Sequence, residues 1–467
     1  MSDLPDVRVS SQDFLAPIFT PPRLLAAVDG TAWLRALLAA EAALARAEAA
    51  HGLVPAHLAA VITECARDIR ATPEQVALLG KGVGNPAAGV VIALTEHVAA
   101  SSDEAAKYVH LGATSQDIMD TAAMLVAQET LGVITDELAS LAARIAVLTR
   151  EHAASLMAGR TLLQQALPIT FGLKAAGWLT SLVEAAEELE RVRSTQLAAQ
   201  LGGAVGTLAS LGDRGLDIAA SFASELGLQS ADVPWHTDRT RLVRIGNALA
   251  LVAGTVGKIA TDILLLAQPE IAEVAEGLEP GAGGSSTMPH KRNPIRAVVA
   301  KAAAQRVPPL VMTLQLAMFQ EHERAAGSWH SEWQTLSDLL VASGGAVHAL
   351  LDAVENLHVD VVAMRAGLDV SRGQLMAEAV TTRLTAVLGR MQAHHLMQRL
   401  SRRTAARGTW LRDELLADKT IAGALDEQEI DEVLDPATYL GSTAALIARA
   451  LERYENHRSG RELASGS

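Results

Sequence analysis

From Thr20-Pro21-Pro22 onward, apolar side chains return every three or four residues through Trp33, Leu34, Leu37, Leu38, Ala42 and Leu44, and the run stops at His51-Gly52. A second helix is expected over Pro55 to Ile69, and the glycines of Gly80-Lys81-Gly82-Val83-Gly84 break the period before another opens at Pro86. The spacing then predicts two unusually long helices, Ala122 to Ala158 and Leu173 to Gln200, and a third ending at Leu266. A helix of about 35 residues spans roughly 50 Å, so these elements are expected to be struts of an elongated bundle that assembles with other copies. The helix after Pro294 meets Pro308-Pro309, which should end or kink it before a continuation toward Phe319. From Asp360 the segments are shorter and more charged, and the Arg399, Arg402, Arg403, Arg407 run reads as a solvated face. The pattern predicts an all-α chain in three helical domains: residues 1–110, a central long-helix bundle at 111–358 carrying a loop at 281–294, and residues 359–467.

Polar islands interrupt this pattern, and they carry the candidate chemistry. Gly281 to Pro294 combines small residues, hydroxyls, Lys291 and Arg292, with Asn293-Pro294 placed as N-cap and first helical residue. A cationic arm at a helix N-terminus suits a polyanionic substrate; the plainer alternative is a solvated glycine-rich turn. Asn85 is a candidate N-cap. In Tyr108 to Thr121, Thr114 or Ser115 could cap a helix that Asp117 and Asp120 enter along its dipole. Thr237 or Asp238 could cap the helix running to Leu266, with Trp235 packing beside it. Arg324 is either a bidentate carboxylate clamp or a surface partner of a nearby Glu. His322 and His330 are not at ligand spacing and no H-E-x-x-H occurs, so no metal site is expected.

Composition narrows the class. Hydrophobic residues make up 49% but aromatics only 3%, so Ala, Leu and Val must pack helices closely. The net charge of -14 without a dense basic cluster argues against nucleic acid and anionic membrane as partners. The lone Cys65 fits a reducing compartment, the N-terminus lacks a basic-then-apolar secretory pattern, and Asn247, Lys258 and Asp262 interrupt the apolar run from Ile245 to Leu266. A soluble, cytoplasmic chain is expected.

Gly284 to Pro294 matches G-S-S-x-M-P-x-K-x-N-P at every fixed position, and His110 to Thr121 matches H-x-G-x-T-S-x-D-x-x-D-T. On these residues the chain resembles the fumarase/aspartase superfamily from about Phe19 to Arg453. The resemblance implies a helical homotetramer with shared active sites, acting on a small polycarboxylate through an aci-carboxylate intermediate, with no metal or cofactor. It implies Ser285 as the group moving a proton at carbon, with His110 as second candidate and Lys291 as the charge-stabilising cation. It also implies substrate contacts from Asn85, Thr114, Ser115, Gln164, His236, Ser286, Met288, Asn293 and Arg324.

Two departures mark a branch. Where fumarases and adenylosuccinate lyases carry a histidine in G-R-T-H-L-Q, this chain has Leu162, and Val298 stands where they place the glutamate that orients it. Leucine transfers no proton. P-W-H-T-x-R-x-R at Pro234 to Arg241, Q-E-H-E-R at Gln320 to Arg324, W-H-x-E-W at Trp329 to Trp333 and L-D-P-A-x-Y-L-G at Leu434 to Gly441 are similar to bacterial 3-carboxy-cis,cis-muconate cycloisomerases of aromatic catabolism, some of which carry tryptophan at the Leu162 position. The implied reaction is addition of a substrate carboxylate to its own conjugated double bond. A lyase releasing an amine or nitrite-type group from a substituted succinate, and a non-catalytic helical scaffold, are the alternatives; the loop hydroxyls and Lys291 speak against the scaffold.

Overall fold

The structure is a computed structural model that describes residues 14–277, 283–284, 287–288 and 290–465, the side chains of the last two excepted. Helix dominates, and six long helices stand out among the described residues: Ser115–Glu151, Phe171–Gln196, Thr240–Leu266, Ile295–Leu316, His330–Glu355 and Thr443–Ser465. Internal contacts divide the chain into two units, one formed by Met1–Leu138, Ala185–Lys258 and Val299–Leu350, the other by Ala139–Glu184, Ile259–Val298 and Leu351–Ser467.

In the first unit the Gly30–Ala50 helix starts at Asp29, whose carboxylate accepts from the Ala32 amide at 2.8 Å, and it buries an almost continuous alanine and leucine surface. Small residues set how near its neighbours come. At Gly345, within the His330–Glu355 helix, an added Cβ would sit 2.2 Å from the Phe19 carbonyl oxygen, so only glycine admits that segment. Three buried threonines inside the Ser115–Glu151 helix bond their own helix: the hydroxyls of Thr130, Thr135 and Thr149 donate to the carbonyls of Val126, Leu131 and Ile145.

In the second unit the helix ends at Glu151, earlier than its apolar period suggests, and β1 (Leu156–Thr161) pairs antiparallel with β2 (Gln164–Thr170). Arg160 forks onto Glu273, with both bonds at 2.8 Å, and the Gln165 amide donates to the Gly367 carbonyl, which anchors this hairpin. A second short pair joins β3 (Val274–Glu276) to β4 (Leu357–Val359). The Ala377–Leu388 and Arg390–Arg407 helices enclose Val380, Leu384, Leu396, Leu400, Leu411 and Leu415. Arg403 and Arg407 pair with Glu414, whose side chain is buried, and Arg399 pairs with Asp418, so only part of the arginine run is a solvated face.

Two expectations about helix bounds are corrected. The helix does not end at Pro308 and Pro309 but continues to Leu316, because Val307, Val311 and Leu314 bury one face of it and packing outweighs two missing amide donors. The same helix begins at Ile295, so Asn293 is not its N-cap. Its first amides are already engaged, since the Glu276 carboxylate accepts from Arg296 N at 3.1 Å and Ala297 N at 2.8 Å. By length and composition the Thr240–Leu266 and His330–Glu355 helices are long and apolar enough to cross a membrane; within their most apolar windows 44% and 72% of residues are buried in the fold.

Candidate active site

In the first unit the second polar island is folded as a tight ledge ahead of the Ser115–Glu151 helix. His110 and Gly112 take positive φ values of 61° and 71°, which turns the chain so that His110 Nδ1 lies 2.7 Å from Glu41 Oε1 on the Gly30–Ala50 helix. Burial opposes a charged ring, but the charge and hydrogen bond of Glu41, with the charge of Asp117, hold the His110 pKa above its ordinary value. Thr114 and Ser115 follow, both half-buried.

Asp117 ties this ledge to two other segments. Its carboxylate accepts from Thr114 N at 2.9 Å, from Gly202 N at 3.0 Å and Gly203 N at 2.9 Å, and bonds His236 Nε2 at 2.7 Å. His236 is thus 4% exposed, with Nε2 committed to Asp117, and Gln116 donates to its carbonyl at 2.9 Å. One turn on, Asp120 receives both terminal nitrogens of Arg239 at 2.8 and 2.9 Å, and Trp329 Nε1 at 3.0 Å. Arg239 is buried, also reaches Glu332 at 2.6 Å and lies over the Trp235 ring at 5.0 Å. The motifs around Trp235 and Trp329 therefore meet in one buried charge network beneath the ledge. The side-chain bonds that tie Asp120, Arg239, Trp329 and Glu332 across segments span 93 to 209 residues, so no local pattern announces these partners.

Arg324 points a cation at the ledge. Nη1 donates to Thr114 Oγ1 at 3.2 Å, and Nη2 donates to the carbonyls of Gly203 at 3.3 Å and Ala204 at 2.9 Å. Among the described residues no ion pair joins Arg324 to a glutamate, and Glu321 accepts from the Ala326 amide. With neutral acceptors alone among the described residues, the guanidinium keeps its charge for an anion beside Thr114. Asn85 caps the Pro86–Ala99 helix, its Oδ1 accepting from Ala87 N at 2.9 Å, which leaves its amide nitrogen as the group available to a ligand. Asp238 caps the Thr240–Leu266 helix through Thr240 N at 3.0 Å.

The second unit holds the other candidates. Gln164 is exposed where β2 begins, beside a two-residue turn in which Leu162 and Leu163 adopt φ of 49° and 65° and are 97% and 75% exposed. The loop is closed at its base, because Asn293 donates its backbone and side-chain nitrogens to the Gly283 carbonyl at 2.9 and 3.1 Å, and Gly284 bridges Arg292. Met288 and Lys291 are exposed, with Lys291 N donating to the Met288 carbonyl. Ser285 and Ser286 lie outside the described residues. Val298, at the position of the orienting glutamate, is 43% exposed.

Residues 24–308 match the family described as Lyase, and residues 373–450 match the adenylosuccinate lyase C-terminus. A 3-carboxy-cis,cis-muconate cycloisomerase of Bradyrhizobium diazoefficiens is 44% identical over 445 residues, covering 94% of this chain and 98% of the relative. A nitrosuccinate lyase of Streptomyces davaonensis is 43% identical, with 97% of each chain covered. The crystal structure of a 3-carboxy-cis,cis-muconate lactonizing enzyme from Pseudomonas putida superposes with a TM-score of 0.90 at 40% identity, over 96% of this chain and 100% of that one. The chain therefore belongs to the lyase family and is an enzyme of the fumarase/aspartase superfamily.

Proposed function

We propose that the chain is a cycloisomerase converting 3-carboxy-cis,cis-muconate into a carboxymuconolactone. The observation that carries this reading is end-to-end similarity, in sequence and in fold, to enzymes named for that reaction. The residues fit the chemistry. One substrate carboxylate forms a C–O bond to a carbon of its own conjugated system, and the displaced electron pair moves into the neighbouring carboxylate as an aci-carboxylate. Arg324, Thr114, Ser115, Gln164, Asn293 and Lys291 supply donors and cations for that charge. Ser285 then gives its proton to the adjacent carbon and recovers one from solvent, with His110 as the second candidate. No external nucleophile has to be activated, in keeping with Leu162 and Val298 at the histidine and glutamate positions.

A second reading has its own support: the nitrosuccinate lyase is as similar as the cycloisomerases. Elimination from a substituted succinate passes through the same kind of intermediate, so the same donors would serve it. The enzyme is a cytoplasmic homotetramer in this account, with each active site assembled from more than one subunit. Incomplete burial of the Thr240–Leu266 helix, where Leu251 is 56% exposed, and exposed Met312, Leu316 and Phe319 supply apolar surface for assembly. The test is an absorbance screen against 3-carboxymuconate, nitrosuccinate, argininosuccinate and adenylosuccinate. Loss of the diene band with 3-carboxymuconate alone is expected; fumarate from nitrosuccinate with an unchanged muconate band would replace the reading by the second one.

A further inference from the structure

The second polar island rests on a carboxylate that no motif contains. Glu41 lies mid-way along the Gly30–Ala50 helix, fully buried, and spends Oε1 on His110 Nδ1 at 2.7 Å, while Oε2 has no partner among the described residues. The contact is held at a cost, because His110 must adopt a positive φ of 61°, a region that non-glycine residues rarely enter. An ionised carboxylate only accepts hydrogen bonds, so this contact puts the neutral ring's proton on Nδ1 and leaves Nε2 as the nitrogen able to exchange one. Nε2 has no hydrogen-bond partner among the described residues. Thr114 and Ser115, four and five residues on, are the proposed carboxylate contacts.

We propose that Glu41 is a positioning residue that fixes the tautomer and orientation of His110, giving the chain a carboxylate–histidine pair at 41 and 110 although positions 162 and 298 hold none. The inference rests on the reading of His110 as a group of the active site. The titratable groups facing the ring are Glu41 from the Gly30–Ala50 helix and Asp117 from the Ser115–Glu151 helix. Asp117 is saturated by Thr114, Gly202, Gly203 and His236. Glu48, two turns beyond Glu41 on the same helix, is fully buried with both carboxyl oxygens unpartnered among the described residues, so burial favours its neutral form and leaves Glu41 as the charge that acts on the ring.

The test uses full-length enzyme labelled with 13C and 15N at histidine, His110 being assigned by the signal lost in His110→Gln. In the unsubstituted enzyme the neutral ring should show the Nδ1–H tautomer, a readout that needs no substrate and, beyond the assignment, no variant. In Glu41→Gln, which keeps shape but offers an amide, the His110 midpoint should move to lower pH and kcat should fall by about tenfold or more with KM nearly unchanged, as expected when an acid–base histidine loses its orienting carboxylate. Glu41→Asp should restore part of the kcat, and Glu48→Gln should leave the His110 titration where it was. An Nε2–H tautomer in the unsubstituted enzyme, or a Glu41→Gln enzyme with unchanged midpoint and kcat, would overturn the proposal. A shifted midpoint with unchanged kcat would leave the pair in place but remove His110 from catalysis, which separates failure of the active-site reading from failure of the pairing.

Discussion

At the scale of single residues, buried carboxylates govern the ledge, and they behave differently according to their partners. Asp117 and Asp120 are saturated by donors, whereas Glu48 has none among the described residues, and burial followed by the charge of Glu41 pushes its pKa up to about 9. Glu48 therefore keeps its proton in the folded chain at neutral pH while the unfolded chain gives it up. The sign follows: the folded state binds more protons, so Glu48 costs nothing below about pH 4.5 and lowers stability progressively as pH rises toward 9. Glu48→Gln should raise stability by on the order of 2–3 kcal/mol at pH 7 and leave it nearly unchanged at pH 4. Thermal melts of both proteins across this range check it; a gap that does not widen with pH would show that Glu48 finds a partner in the folded state.

At the scale of elements, the sequence makes the helices and the islands legible because apolar period and glycine or proline punctuation are local signals. Leu156 to Thr170 is different. Its strands are short and its tip is Leu162-Leu163 where a two-residue hairpin turn usually carries Asn or Gly, so the positive φ of both leucines has no signature. Asn293-Pro294 shows the opposite error. The pair reads as a helix start, but Glu276, in a strand seventeen residues earlier, takes the helix amides and frees Asn293 to close the loop on Gly283. The candidate ledge was legible through His110, Thr114 and Ser115, whereas Glu41 was not: a glutamate inside an alanine-rich helix looks like any surface position until its distant partner is known.

For the whole molecule, the decisive quantity is how many subunits supply one site. The islands around His110, Gln164 and Ser285 are proposed to come from different subunits of a tetramer. Ser285→Ala and His110→Gln enzymes should each be inactive or nearly so, yet mixing them under conditions of subunit exchange should return about a quarter of native sites, the statistical share expected when two positions come from different subunits. Activity assays after verified exchange check this, and light scattering gives the assembly size. No recovery in exchanged tetramers would place both residues in one subunit.

Whether the chain forms the lactone is decided by product analysis by NMR in deuterated water. With 3-carboxy-cis,cis-muconate the product should be a carboxymuconolactone carrying one solvent-derived deuteron on the carbon next to the carboxylate that held the charge, since the proposed donor, the Ser285 hydroxyl, would exchange with solvent before giving up its proton. An enzyme that leaves this substrate unchanged but turns nitrosuccinate into fumarate would be a succinate-type lyase and not a cycloisomerase.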